Sequence, residues 1–154
     1  MSAAPLPPYT HVPGRTPHPE SDPAGHSYGK SRNVPEPLDA SHWWLSSAYR
    51  RGVLLFNHGY YWEAHEAWEG LWLAAGRRGP TANLLQALIH LAAAGVKIRE
   101  GVPAGVVSHA RRAAHHLTRL PASASCAGLQ RRELEGLCRH LQSAAEKQAT
   151  ANLR

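Results

Sequence analysis

The fold is decided by the stretch Phe56-Asn57-His58-Gly59-Tyr60-Tyr61-Trp62-Glu63-Ala64-His65-Glu66-Ala67-Trp68-Glu69-Gly70-Leu71-Trp72. On a helix, where each residue advances about 100°, its aromatic and ionisable side chains share one arc. The members of that arc are Trp62, His65, Glu66, Glu69 and Trp72. Tryptophans favour burial, whereas a histidine and two carboxylates are costly to bury without partners. The stretch therefore predicts a helix with a site on one face.

Apolar residues recur at helical spacing on both sides of this stretch, and glycine or proline marks most of the breaks. The five predicted helices run from Asp39 or Ser41 to about Asn57, from about Tyr60 to Ala75, from Pro80 to about Arg99, from Pro103 to before Pro121, and from about Ala127 towards Ala149. The third is apolar almost all round, which is typical of a helix inside a bundle. The sequence predicts an all-α fold, a single bundle of about five helices with the second and third helices central.

Two motifs resemble the family called domain of unknown function 309, whose members are small all-helical proteins of bacteria, archaea and plastids. The first is Phe56-Asn57-x-Gly59-x-Tyr61-Trp62-Glu63-x-His65-Glu66-x-x-Glu69-x-x-Trp72, and the second is the helix Leu84-Leu85-Gln86-Ala87-Leu88-Ile89-His90-Leu91-Ala92-Ala93-Ala94. The resemblance covers about residues 40 to 122, with boundaries uncertain by several residues. It implies a small helical fold and brings no established activity.

The first 37 residues differ in composition from the remainder. They hold nine of the twelve prolines and little apolar surface. Such a segment predicts disorder, because it cannot bury enough area to offset the entropy of ordering. Three histidines within it, at positions 11, 18 and 26, are too widely spaced to indicate a metal-binding tail. We expect a disordered segment over residues 1–37 and a helical domain over 38–154.

Length, charge and cysteine content indicate the number of domains and the cellular compartment. The chain has 154 residues and a formal net charge of +6, with a hydrophobic fraction of 43% that suits one globular domain. Two cysteines, Cys126 and Cys138, would be too far apart to bridge if both lay on the fifth helix. These features favour a reducing cytoplasm. No signal-like or membrane-spanning pattern is evident, so no membrane association is expected, while the oligomeric state cannot be read.

The arc supports two interpretations, and the structural one leads. In it the polar groups form a buried network or a scaffold for a small ligand or partner, with His65 paired to Glu69 and polar positions of the third helix completing the bonds. The predicted binding or network residues are Asn57, Trp62, His65, Glu66, Glu69, Trp72, Gln86 and His90. This interpretation needs no metal or other cofactor.

The alternative interpretation is a metal-dependent hydrolase. His65-Glu66-x-x-Glu69 differs by one residue from the His-Glu-x-x-His helix of zinc peptidases, in which two ligands one turn apart share an ion. His65, Glu69 and His90 would then bind a divalent metal such as zinc, and Glu66 would be the catalytic base. The spacing alone is common on helices, so enzyme activity stays open.

The fourth helix carries a basic stripe, which is formed by His109, Arg112, His116 and Arg119. A phosphate-bearing ligand or an RNA backbone could be held there, although a solvated face explains the same residues. Aromatic residues that could stack on bases are absent from the stripe, so binding of nucleic acid is unlikely.

Overall fold

A computed structural model describes residues 4–122 and 125–153. Within these ranges the chain forms a 3-10 helix, five α-helices and a small antiparallel hairpin. The elements are the 3-10 helix Ala40–Leu45, α1 Ser47–Asn57, α2 Tyr61–Ala74, α3 Pro80–Glu100, α4 Pro103–Leu117, β1 Ser125–Cys126, β2 Leu129–Gln130 and α5 Arg131–Ala151. The prediction of an all-α bundle is confirmed.

Glycine and proline fix the helix ends as the sequence predicts. α2 is followed by Gly76 at φ +70°, and α3 is capped by Gly101 at φ +74°, a left-handed conformation that costs glycine little. Pro80 and Pro103 lie in the first turns of α3 and α4, where a missing N–H leaves no helical bond unmade. These signals are local, so they could be read before the fold was known.

The first predicted helix is divided in two. Asp39 accepts a hydrogen bond from the Ser41 N–H at the start of the 3-10 helix. Ser46 has an extended backbone and accepts from the Tyr49 N–H, so it ends one helix and caps the next. The chain therefore turns at Ser46, where the apolar pattern alone predicts a continuous helix.

The hairpin between α4 and α5 was not predicted. Ala127 and Gly128 have φ values of +48° and +78°, the signs that a tight two-residue hairpin turn requires. The Tyr49 hydroxyl of α1 donates to the Ala127 carbonyl at 2.8 Å and ties this hairpin to the bundle. Cys126 consequently lies on β1 and not on the fifth helix, and both it and Cys138 are free thiols.

α3 is the central helix, as predicted. It packs against α2 on one side and α4 on the other, while α1 packs on α2 and α5 on α4. Among the described residues, α3 alone is long and apolar enough to cross a membrane, yet most of it is buried inside the bundle. This burial is what the core helix of a bundle shows.

The N-terminal strap, by which we mean residues 4–37, contains no helix or strand but lies against α1 and α2. Arg51 of α1 donates to the carbonyls of Ala4 and Pro5 at 2.6 Å each, and Val12 and Pro19 are buried. The sequence predicts disorder here because apolar area is scarce. In the structure the contacts are instead polar bonds and ring contacts, which a count of apolar residues does not register.

Candidate functional site

Three predicted residues of α2 form one cluster. One potential ligand atom from each of His65, Glu66 and Glu69 lies within 4.8 Å of the other two. His65 Nδ1 is 3.3 Å from Glu66 Oε1, and His65 Nε2 is 3.7 Å from Glu69 Oε2. Their side chains are 28%, 21% and 39% exposed, so the cluster is half-buried and opens to solvent beside Glu69. Helical spacing brings the three together, as the sequence indicates.

The contacts within the cluster are not those of a closed hydrogen-bonding network. His65 Nδ1 is buried and has no hydrogen-bond partner among the described residues, although Glu66 is near. At 3.7 Å, the contact between His65 and Glu69 is too long for a hydrogen bond. Gln86 and His90 of α3 form no hydrogen bond with His65 in the described chain. The side chains that were predicted to pair, His65 and Glu69, therefore lie near each other without a hydrogen bond between them.

Glu66 is held from the other side by the strap. Its Oε2 forms an ion pair with Arg32, which also bonds Glu20 with Nε at 2.8 Å from Oε1. Burial by itself would raise the pKa of Glu66, but the adjacent His65 and the charge of Arg32 outweigh it, so the pKa is lowered. Glu66 is therefore ionised at neutral pH, with one oxygen facing the strap and the other facing His65.

A histidine seam lies beside the cluster, formed by His90 of α3 with His109 and His116 of α4. The Nδ1 atoms of His90 and His109 are 3.1 Å apart, and the rings of His90 and His116 stack at 5.5 Å. Burial is the main cause that lowers the pKa of His90 to about 4, with smaller contributions from His109, His116, Arg112 and His65. The pKa values of His109 and His116 are also lowered, chiefly by burial. All three imidazoles are neutral at pH 7.

This seam divides the predicted basic stripe. His109 and His116 are half-buried against α3, whereas Arg112 and Arg119 are exposed. The four residues therefore do not present a continuous row of charges, which is what binding to a nucleic-acid backbone needs.

The remaining predicted residues lie apart from the cluster. The Trp62 ring is contacted edge-on by the rings of His11 and His18 of the strap, at centroid distances of 5.2 and 5.5 Å. Trp72 packs on the main core, and Arg77 covers its ring at 5.4 Å. Asn57 is exposed at the end of α1. The tryptophans of the arc therefore serve packing of the strap and the core.

One important residue was missed by the sequence reasoning. Glu63 is buried, and its two oxygens accept from the His11 N–H at 3.0 and 3.2 Å, while Thr10 Oγ1 lies 3.4 Å from Oε2. The helical projection leaves Glu63 outside the arc of Trp62, His65, Glu66, Glu69 and Trp72. Its partners are backbone and side-chain donors more than fifty positions earlier, which no periodicity can reveal.

Fold and cluster together define a small all-α bundle that presents a half-buried histidine and carboxylate site on its second helix. Residues 49–109 match the family described as Domain of unknown function (DUF309), which confirms the resemblance. The matched segment runs from α1 into α4 and contains the whole His65, Glu66 and Glu69 cluster. No curated protein and no solved structure matches the chain.

Proposed function

We propose that the domain is a binding scaffold whose ligand is a divalent transition-metal ion, held by His65, Glu66 and Glu69. The observation that carries the proposal is the buried Nδ1 of His65, which lacks a hydrogen-bond partner and faces a carboxylate oxygen 3.3 Å away. Buried polar atoms are rarely left unpaired in a purely structural network. An ion between the two atoms would pair both.

The chemistry of the cluster suits zinc or a similar ion. Imidazole nitrogen and carboxylate oxygen are both zinc ligands, and bonds of about 2.0 Å in a tetrahedral site separate the donors by about 3.3 Å. The opening beside Glu69 leaves room for water as a further ligand. His90 was a predicted third-helix ligand, but its nearest polar contact is His109, so we assign it to the seam.

Hydrolysis is supported less well than binding. A general base works best when its pKa lies near the operating pH, yet the pKa of Glu66 is lowered and Arg32 occupies one of its oxygens. Glu66 therefore resembles a metal ligand more than a base. The predicted cytoplasmic location is compatible with two free cysteines and stays a prediction.

The test is metal analysis of the full chain after purification without chelator, followed by calorimetric titration of Zn²⁺ into the stripped protein. We expect about one ion per chain and a loss of affinity of at least about tenfold in His65→Ala and in Glu69→Gln, since each removes one ligand. His140→Ala and Glu133→Gln, two changes at exposed positions on α5, are the matched controls and should bind as the wild type does.

The competing interpretation predicts a different pattern. If the cluster is a structural network, the wild-type chain binds no stoichiometric zinc, and His65→Ala lowers the free energy of unfolding by roughly 2 to 4 kcal/mol without any response to chelator. That result would overturn the metal proposal.

A further inference from the structure

An apolar cavity lies between helices α1 and α5. These two helices are not packed closely on each other, since α1 packs on α2 and α5 packs on α4. The volume between them is ≈ 150 Å³, and side chains of α1, α2, α3, β2 and α5 line it. A cavity of about 150 Å³ that was engineered into the apolar core of another protein holds one benzene molecule. The cavity between α1 and α5 is therefore large enough for a single aromatic ring.

The floor and the walls of this cavity are apolar. Its floor is formed by three buried residues, Trp68 of α2 with Leu88 and Leu91 of α3. Its walls are half-buried and are formed mainly by Val53 and Phe56 of α1 and by Leu134 and Leu137 of α5. The two residues of each helical pair are three positions apart, a spacing that places both side chains on one face. Because the walls are half-buried, a small molecule can reach the floor from solvent.

Asn57 is the polar side chain at the mouth of the cavity, and it was predicted as a binding residue. It lines the cavity and is exposed at the end of α1. Nearby side-chain hydrogen bonds are formed by Arg51 and His58 and do not involve Asn57. The Nε1 atom of Trp68 is buried against Gly52, so we assign it no bond to a ligand. The Asn57 amide is therefore the group that can bond a molecule in the cavity.

We propose that this cavity binds a small neutral aromatic compound with one hydrogen-bonding group, the ring on the apolar floor and the polar group bonded to the Asn57 amide. Among the described residues no ionisable side chain lines the cavity, so a charged ligand would lose its hydration without gaining a partner. An amide both donates and accepts, which suits a hydroxyl or a carbonyl group. The rings of Phe56 and Trp68 favour an aromatic ligand over an aliphatic one.

This site is separate from the proposed metal cluster. His65, Glu66 and Glu69 do not line the cavity, and no residue of the N-terminal strap does. Binding of the aromatic compound therefore needs neither the metal nor the strap, and His65→Ala should bind it as the wild type does.

The test uses four benzyl compounds of similar shape, which are titrated into the full chain and followed by calorimetry and ligand-observed NMR. At neutral pH benzyl alcohol and toluene are uncharged, whereas benzylamine is a cation and benzoate an anion. We expect the two uncharged probes to bind with dissociation constants of about 1 mM or lower. Benzylamine and benzoate should bind at least about tenfold more weakly. Charged probes that bind as tightly as benzyl alcohol, or no binding of either uncharged probe at about 5 mM, would overturn the proposal.

A matched pair of variants on α5 locates the binding. Leu134→Trp should fill the cavity and weaken both uncharged probes by at least about tenfold. Leu141→Trp is the control, because Leu141 is also half-buried and lies seven positions later on the same helix but does not line this cavity. Unaltered binding in Leu134→Trp, or a loss in Leu141→Trp alone, would contradict the assignment. Far-UV circular dichroism checks that each variant is folded.

Asn57→Ala tests the hydrogen bond without disturbing the core, because Asn57 is exposed. Benzyl alcohol should bind about three- to tenfold more weakly to this variant, which is the usual effect of one lost neutral hydrogen bond. Toluene has no hydrogen-bonding group, so its affinity should not change. Equal weakening of the two probes, or undiminished binding of benzyl alcohol, would show that the Asn57 amide does not hold the ligand.

Discussion

At the scale of single residues, the closest approach of helices α1 and α2 depends on Gly52. A Cβ placed on Gly52 would lie 2.2 Å from Nε1 of Trp68, a side chain that is itself almost fully buried. Neither a rigid indole nor the α1 backbone can yield cheaply in a close-packed core. Gly52 is therefore required by packing, because α1 could not carry a larger residue at this contact.

We expect Gly52→Ala to lower the free energy of unfolding by about 1 to 3 kcal/mol, the usual cost of an extra methyl group in a filled core. Urea denaturation of the two proteins measures the difference. The matched control is Gly136→Ala on α5, where the added Cβ would meet nothing closer than 3.7 Å. That change should stabilise the protein by about 0.5 to 1 kcal/mol, since alanine favours helix. Equal effects of the two substitutions would contradict the packing argument.

The sequence indicates which side chains share one face of a helix, but it does not indicate which distant residues contact them. The spacing of His65, Glu66 and Glu69 places them on one face by helical geometry alone. Arg32 and His11, which contact Glu66 and Glu63 from the strap, lie more than thirty positions earlier in an irregular segment. Irregular backbone has no period, so sequence reasoning could not pair it with a helix face.

At the scale of secondary-structure elements, the helices were predictable where glycine or proline ends them and unpredictable where a side-chain cap does. Gly76, Pro80, Gly101 and Pro103 mark breaks by their own backbone preferences. Ser46 interrupts an apolar pattern that continues on both sides of it, so the pattern conceals the turn. Strands of two residues each are too short for any alternation to indicate them.

The contact between α3 and α4 makes stability depend on pH. His90 has a folded-state pKa of about 4 against an ordinary value of 6.5, and its charged neighbours are His109, His116, Arg112 and His65. Between these two values the unfolded chain binds more protons than the folded one. The contribution of His90 is therefore complete above pH 6.5 and is lost as the pH falls towards 4.

We expect the free energy of unfolding to fall by about 1 kcal/mol more in the wild type than in His90→Gln when the pH is lowered from 7 to 5. The unscreened limit over this interval is about 2 kcal/mol, and solvent access to the half-buried ring reduces it. Glu63 acts in the opposite direction, because burial raises its pKa and its protonated form favours the fold. Urea titrations of both proteins at the two pH values cancel that common contribution, and parallel losses would show that His90 is not the responsible group.

At the scale of the whole molecule, the strap and the helical domain meet through two carboxylates of α2. Glu63 accepts the strap backbone at His11, and Glu66 pairs with Arg32 while its other oxygen faces His65. The helical domain has its own core, to which α3 contributes more buried residues than any other described helix. The strap therefore adds polar contacts to a bundle that has a core of its own.

The last prediction follows from this arrangement and concerns deletion of residues 1–36. We expect the remaining domain to keep its helical circular dichroism and cooperative unfolding, with a melting temperature lower by no more than about 4 °C, because few apolar groups of the strap are buried. Zinc affinity should rise about two- to fivefold, because Glu66 loses the competing charge of Arg32.

Arg32→Ala in the full chain isolates the effect of the charge, because it should reproduce the gain in zinc affinity without removal of the strap. Reversal of Arg32 to glutamate would also place a third carboxylate near the cluster, so alanine is the cleaner replacement. Loss of zinc binding on deletion would show that the strap completes the metal site instead of competing with it. A truncated domain that no longer unfolds cooperatively would show that the contacts of Glu63 and Trp62 with the strap are required by the bundle itself.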